Sequence, residues 1–433
     1  MHSKYAFYLF CFIIWFAPIP LGANRPWAWG LVEFLICINT IYVCFCHSFN
    51  QFFKQIKKIR TILYVIICVQ LWVFMQWLGA IYPSWSFLHS LDPSQTEIAL
   101  IKGISYCLFI INLALLVDRP ERLKQLSVLI IFSGLTQALY GIYLQYSGWE
   151  SSFLGFDVSD RATGTFVYKN HLANYLLLCS SIAVGYLVGS LEGVQVDSNR
   201  QKLVVIIETM FSSKWMLRIS IIIMVVALIM TRSRMGNSAF FVSLLIASLI
   251  ALILMKKPPN TLKWLVLSLV ALDIAIVGSY FGVEKVKDRL AATSFQSEAR
   301  DDVVFDSIPY ISEYALTGSG AGSFYSTFPR YQTTHYSGFY DHAHNEYVQF
   351  YAELGLIPSL LLFALVVSVV WNSLKTMRQS RNKFKQGLAL GALMACIGMF
   401  MHASVDFVLQ DVAIVLLFLT ILCIPNLFVS KKI

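Results

Sequence analysis

The sequence predicts an all-α polytopic integral membrane protein with about twelve transmembrane helices and one large outer loop between helices 9 and 10. Three observations predict it. Of 433 residues, 57% are AVILMFWYC, only 13% are charged, and mean hydropathy is +0.66. Soluble domains are about a quarter charged, so too few polar side chains remain here to cover a water-facing surface of this size. The apolar residues fall in runs of about twenty, the length a helix needs to cross the hydrocarbon core. The period-2 alternation of a membrane barrel is not visible, and backbone groups in lipid must be satisfied within each segment, so the runs read as helices.

In chain order the runs predict spans near 5–19, 27–46, 61–79, 99–117, 125–146, 170–190, 217–232, 236–255, 264–281, 344–371, 386–403 and 408–428. The chain thus divides into residues 1–281 with nine spans, a large loop at 282–343, and residues 344–433 with three spans. The first run follows Lys4 and precedes Pro18 and Pro20. No A-x-A-like cleavage site follows it and the next run begins at once, so it reads as a retained helix and not a signal peptide. Placing the N-terminus inside puts most of the 33 Lys and Arg residues in cytoplasmic connections, among them Lys54, Lys57, Lys58, Arg60, Arg119, Arg122, Lys375, Arg378 and Lys383. By the positive-inside bias both termini are cytoplasmic. The formal charge of +9 is then a topology signal with some attraction to anionic membrane lipids, and predicts no nucleic-acid partner. All nine cysteines fall in spans or at their ends, without a C-x-x-C spacing, so no disulfide or zinc framework is expected.

The cytoplasmic segments are short and basic. The longest, about 191–216, has an amphipathic portion around Leu203, Val204, Ile207 and Phe211 suited to the interface. No nucleotide-binding motif occurs there, and no cofactor is expected. The outer side differs, with loops of about twenty residues at 80–98 and 147–169 and one of about sixty at 282–343, lengths that usually serve a function. It holds His89, His171, His335, His342, His344 and His402, and ten basic residues kept against the positive-inside bias, which points to an anionic ligand. Pairing with outer acids is the competing explanation, and the better one for Lys285, Lys287 and Arg289 beside Glu284 and Asp288.

Three stretches carry chemistry. From Arg161 to Asn174 the second outer loop enters the sixth span. Arg161 offers a bidentate fork for phosphate or carboxylate, Gly164 permits close approach, and Asn170 and Asn174 share one helix face just after Lys169. Asn170 or Thr165 could equally cap the helix. Arg232 and Arg234 sit between the seventh and eighth spans with almost no loop; arginines at that depth need an aqueous cavity, an anion, or snorkelling to the headgroups. The large loop ends in Gly318, Gly320 and Gly322, a pattern compatible with a backbone nest for an anion or with a flexible turn, and then in Asp341, His342 and His344. Beyond them Glu346, Gln349 and Glu353 form a polar stripe descending into the tenth span, which should face a cavity. His342 and His344 with a nearby carboxylate could hold zinc, but no third strong ligand follows from the spacing and no metal is assigned. A base or orienting role for one imidazole is the better use, with Glu346 or Glu353 fixing its tautomer.

Five pieces together resemble the superfamily of bacterial O-antigen ligases and Wzy-type O-antigen polymerases, which also includes protein O-oligosaccharyltransferases. They are Gly22 to Trp29, Arg161 to Phe166, Ser233-Arg234, the glycines from Gly318 to Gly322 with Phe324, and His344-Asn345. The ligase pattern is H-N, nine residues, G, two residues, then G, T or Y; here His344-Asn345 leads to Gly355, and Pro358 stands in the last position. The resemblance implies a membrane glycosyltransferase of the bacterial inner membrane, with its site facing the periplasm and the large loop periplasmic. The donor would be a glycan on undecaprenyl pyrophosphate. The acceptor would be a hydroxyl of lipid A-core for a ligase, of a second lipid-linked glycan for a polymerase, or of a protein Ser or Thr. It further implies an inverting, metal-independent reaction with His344 as base and Arg161 and Arg234 on pyrophosphate. By the same reading Arg25, Lys169, Asn170, Arg232, Gly320, Gly322, Asn345, Glu346, Gln349 and Glu353 contact substrate, and Arg234 rather than Arg232 turns inward. The competing class is a transporter of anionic lipid or glycan, which polar residues such as Lys102, Asp273 and Asp411 in spans would suit.

Overall fold

The computed structural model describes residues 2–82, 84, 87–158, 160–190, 213–255, 299–333 and 338–427. Its helices are α1 (His2–Phe16), α2 (Pro26–Cys46), α3 (Phe49–Ile81), α4 (Pro93–Leu116), α5 (Pro120–Tyr146), α6 (Lys169–Ser190), α7 (Ser213–Met230), α8 (Arg234–Leu254), α9 (Ala299–Glu313), α10 (Phe324–Thr327), α11 (Glu346–Leu354), α12 (Leu356–Gln379), α13 (Lys383–Ala403) and α14 (Val412–Leu427). Among the described residues eight helices are long and apolar enough to cross a membrane, and Ser3–Phe16, Trp215–Met230 and Val412–Leu427 are shorter apolar segments. The chain is a polytopic helical membrane protein. The expected ninth span at 264–281, the amphipathic stretch around 203–211, and His335, Lys285, Lys287 and Arg289 lie outside the described residues.

Local chemistry sets the helix starts. Proline occupies the first turn of α2, α4 and α5, where its missing N–H has no intrahelical role. Ser48 and Gln51 form a capping box on α3, and Asp92 accepts from the Gln95 N–H on α4. The helix α3 begins well before the expected 61, so Lys54, Lys57, Lys58 and Arg60 lie on its first turns and not in a loop. The most enclosed of the eight long helices, α6 and α13, pack against each other through small residues. A Cβ on Gly185 would fall 2.4 Å from the Gly387 carbonyl oxygen, so any larger residue would drive the two backbones apart.

One expectation is corrected. The stretch 344–371 is not a single span: α11 ends at Gly355 and α12 starts afresh at Leu356. Gly355 has φ 78°, and a Cβ there would meet the Leu316 carbonyl oxygen at 2.4 Å, so glycine alone fits both the turn and the contact. The polar stripe is therefore carried by a nine-residue helix lying before the span. Around α11 the described part of the large loop builds its own small core of Val303, Tyr310, Phe324, Phe328, Ala343 and Ala352. Tyr310 stacks on Tyr331 at 5.1 Å and Phe324 on Phe328 at 4.8 Å. A second apolar contact, Val69 and Val73 with Ala321 and Leu354, seats this cap on α3.

Candidate functional site

The link between α13 and α14 is short, and it places Asp406, Phe407 and Asp411 against the first turns of α6 and the residues preceding α11. The Phe407 ring is met by His342 stacked at 4.4 Å, by the edges of His344 at 4.8 Å and His171 at 5.0 Å, and by Tyr168 at 5.5 Å. Three of the outer histidines singled out from the sequence thus gather on one aromatic ring. His402 lies beside them in the fold, its Nδ1 at 3.1 Å from the Asn174 amide.

His344 sits at φ 50°, a left-handed conformation that costs a side-chain-bearing residue of order 1 kcal/mol or more and here aims the imidazole at Asp406. Nδ1 of His344 is 3.7 Å from Asp406 Oδ1, within ion-pair range and too long for a direct hydrogen bond. Asp406 is buried, and it is oriented by the Phe407 N–H, which donates to Oδ1 at 3.0 Å, and by the Asn170 amide, which donates to Oδ2. Burial alone would raise the Asp406 carboxyl, but His344, the charges of His402 and His171, and the Phe407 N–H outweigh it and hold it well below the usual carboxylate range. His342 differs: burial pushes it down to about 4 despite Asp341, so it is neutral near pH 7 and weakly basic. Its Nδ1 meets the Gln349 amide at 3.2 Å.

A second imidazole–carboxylate pair stands behind the first. His171 Nδ1 is 2.6 Å from Asp411 Oδ2, and Asn24 donates to Asp411 Oδ1 at 2.6 Å. Both His171 and Asp411 are fully enclosed. Residues 21–23 all have positive φ, and this tight reversal brings Gly22 so close that a Cβ would lie 2.9 Å from Asp411 Oδ2.

The stripe on α11 is built differently from the expectation that Glu346 or Glu353 holds the His344 tautomer. Glu346 accepts from the Leu409 N–H at 2.6 Å and the Gln410 amide at 3.3 Å, tying α11 to the α13–α14 link. Glu353 accepts from the N–H groups of Gly322 at 2.9 Å and Phe324 at 3.2 Å and from Gln349 at 3.1 Å. The glycine turn therefore receives an anion supplied by the protein itself. At Gly320, with φ 110°, a Cβ would fall 2.1 Å from Ser90 Oγ, so this glycine serves close packing. Asn345 caps α11, its Oδ1 accepting from Tyr347 and Val348. Neither Asn170 nor Thr165 caps α6: Asn170 donates to Asp406, and the Thr165 N–H donates to Gln137.

Burial pushes Glu346, on a helix outside the spans, up to about 8, against the pull of Leu409 and Gln410 toward the charged form. A carboxyl raised on folding contributes stability that is fully present below its unfolded value near 4.3 and is lost as pH rises through the folded one. Glu346→Gln should therefore flatten the fall in melting temperature between about pH 5 and 8. Thermal unfolding followed across that range checks it; an unchanged slope removes Glu346 as the origin.

The arginines stand apart from this cluster. Arg161 is exposed and pairs with Asp160 at 3.4 Å, and Arg232 bonds the other oxygen of Asp160 at 2.6 Å. Ser233 caps α8 through the Gly236 N–H. Arg234 is exposed in the first turn, and Arg232 is the less exposed of the two, the reverse of the expected preference. Arg25 is exposed at the start of α2, and Lys169 opens α6 half-buried.

Beside the histidine cluster opens a cavity of about 800 Å³. Asn24, Asp341, His342, Glu346, Gln349 and Glu353 line its polar end, and its apolar wall is drawn from α3, α4, α12, α13 and α14. The stripe on α11 does face a cavity, as its spacing requires. His344 and the arginines do not line it, whereas Lys102 of α4 does. Among the described residues no three His, Cys, Asp or Glu side chains converge as a metal-ligand set.

Reasoning from sequence missed Asp406 and Phe407, gave Asp411 only to the transport alternative, and gave Asn24 and Gly22 no geometry. The available signal was one acid, Asp406, in the short interruption between the last two apolar runs and a second, Asp411, just after it. Residues 219–363 match the Wzy_C family model, described as O-antigen ligase. The matched stretch contains Arg232, Arg234, the glycine turn, His344 and all of α11. No curated protein matches the chain.

Proposed function

We propose that this chain, whose residues 219–363 match the O-antigen ligase family model, is a metal-independent inverting glycosyltransferase of that superfamily that moves a glycan from undecaprenyl pyrophosphate to an acceptor hydroxyl. The acceptor in this reading is lipid A-core, at the periplasmic face of the bacterial inner membrane, with both termini cytoplasmic. The observation that carries the reading is the His344–Asp406 pair set beside a cavity that is polar at one end and apolar along the rest. Such a cavity suits a lipid-linked substrate.

The chemistry follows from these side chains. The anomeric pyrophosphate is already a good leaving group, so the site must position the acceptor, take its proton and stabilise departing charge. His344 removes the hydroxyl proton as oxygen attacks the anomeric carbon from the face opposite the pyrophosphate, and Asp406 stabilises the imidazolium that forms. His342 is too weak a base for this role and serves as a neutral wall of the cavity, stacked on Phe407. Arg161 and Arg234, whose side chains are exposed, receive the pyrophosphate as it leaves.

Reconstitution with purified lipid-linked glycan and lipid A-core tests the reading. Covalent transfer to the core is the expected result. Extension of the lipid-linked glycan in place of transfer to core would make the protein a polymerase, and movement across the bilayer without bond formation would make it a transporter.

A further inference from the structure

We propose that Lys102 is the anion-binding residue of the cavity, holding the phosphate-type headgroup of an isoprenoid lipid whose chain lies along the apolar wall. This rests on the reading of a lipid-linked donor and adds the residue that anchors it.

Three observations converge on Lys102. Gln95, Ile98, Ala99, Lys102 and Tyr106 all line the cavity, and their spacing places them on one face of α4. Lys102 thus faces the cavity at a depth within the span, and it is the Lys or Arg among the lining residues. Among the described residues, no carboxylate oxygen comes within 4.0 Å of its ammonium. Its ammonium lies over the Trp29 ring at 5.0 Å, a contact that itself engages no hydrogen-bond acceptor.

The acids that attract Lys102 are engaged elsewhere. Asp411 gives one oxygen to Asn24 and the other to His171, and Glu33 faces the Ser105 hydroxyl at 3.5 Å. A lysine held at membrane depth without a close counter-ion is costly, and it is retained where it meets an anion in an aqueous or ligand-filled space.

The apolar part of the ligand follows from the same cavity. Val415, Phe418, Leu419 and Leu422 form one stripe on α14, and Ile66 and Val69 of α3 also line the space. An anion with a long apolar chain matches a fixed cation set beside such a wall. Lys102 then acts on donor binding, in contrast to arginines that act on departing charge.

The test is binding of fluorescent undecaprenyl pyrophosphate, without glycan, to the purified full chain in nanodiscs. Lys102→Gln should weaken binding about 10- to 100-fold and Lys102→Arg should retain most of it. Lys102→Met, which keeps the apolar stem, is the second variant should Gln disturb packing. In transfer assays the neutral Lys102 variants should raise the donor KM with little change in kcat. Binding by both neutral variants at wild-type affinity would overturn the proposal, while failure of the wild type itself to bind the probe would overturn the donor reading beneath it. Excess phosphatidylglycerol should not displace the probe; displacement at equal concentration would make the occupant a bulk phospholipid and overturn the isoprenoid assignment.

Discussion

His344→Ala should leave a folded protein that binds donor lipid but transfers glycan about 100- to 10,000-fold more slowly, the usual contribution of a positioned general base. His344 has φ 50°, a conformation histidine adopts more readily than most side-chain-bearing residues, so the melting temperature of the Ala variant is compared with that of wild type to separate rate from folding. Asp406→Asn should cost about 10- to 1,000-fold, since an amide cannot stabilise the imidazolium. It also carries a stability signature. A carboxyl held low on folding contributes stability that is present above its unfolded value near 3.9 and is lost as pH falls toward the folded one. The melting temperatures of wild type and Asp406→Asn should therefore differ near neutrality and converge below about pH 4. His342→Ala should be milder in rate and act mainly on KM, because His342 lines the cavity and stacks on Phe407. Single-turnover rates for the three variants decide the matter. Equal damage from His342→Ala and His344→Ala, or loss of wild-type activity on chelation, would remove the base assignment.

Replacing Arg161 or Arg234 by Ala should cost about 2–4 kcal/mol of transition-state stabilisation, or roughly a 30- to 1,000-fold loss of rate. The Asp160 partner of Arg161 does not oppose this. An exposed ion pair contributes about 0–1 kcal/mol, so a pyrophosphate can displace it at little cost. Lys at either position should rescue poorly, because it lacks the planar fork. The effect should appear in kcat and leave donor affinity largely intact, the opposite of the Lys102 variants. Near-normal transfer by both Ala variants at normal expression would take pyrophosphate away from these residues and leave Arg161 and Arg232 as a surface pair around Asp160.

How much of this was legible beforehand depends on the range of the interactions. Composition and run length are properties of consecutive residues, and they predicted a helical membrane protein because a spanning segment must satisfy its own backbone. The i, i+4 spacing of Asn170 and Asn174 correctly put both on one face, where they meet Asp406 and His402. The periodicity of Glu346, Gln349 and Glu353 likewise predicted a face toward a cavity.

Partnership was not legible, because it is decided by which helix ends pack together. Glu353 was expected beside a histidine or a substrate, yet the fold brings the glycine turn onto it, and two backbone N–H groups take its carboxylate. The break at Gly355 escaped a reading of hydropathy, since the apolar pattern continues across it and the left-handed turn and the contact with Leu316 that require glycine there belong to the tertiary structure. Asp406 carried no sequence signal of its own and Asp411 read only as a polar residue in a span, because their partners come from α6 and the α1–α2 turn. By itself, then, the sequence determined that the chain spans a membrane as helices and which residues of a helix share a face, because period and composition act along the chain. The tertiary structure alone decided that Asp406 pairs with His344, that Phe407 gathers three histidines, and that Lys102 opens on the cavity, because these contacts join residues far apart in sequence.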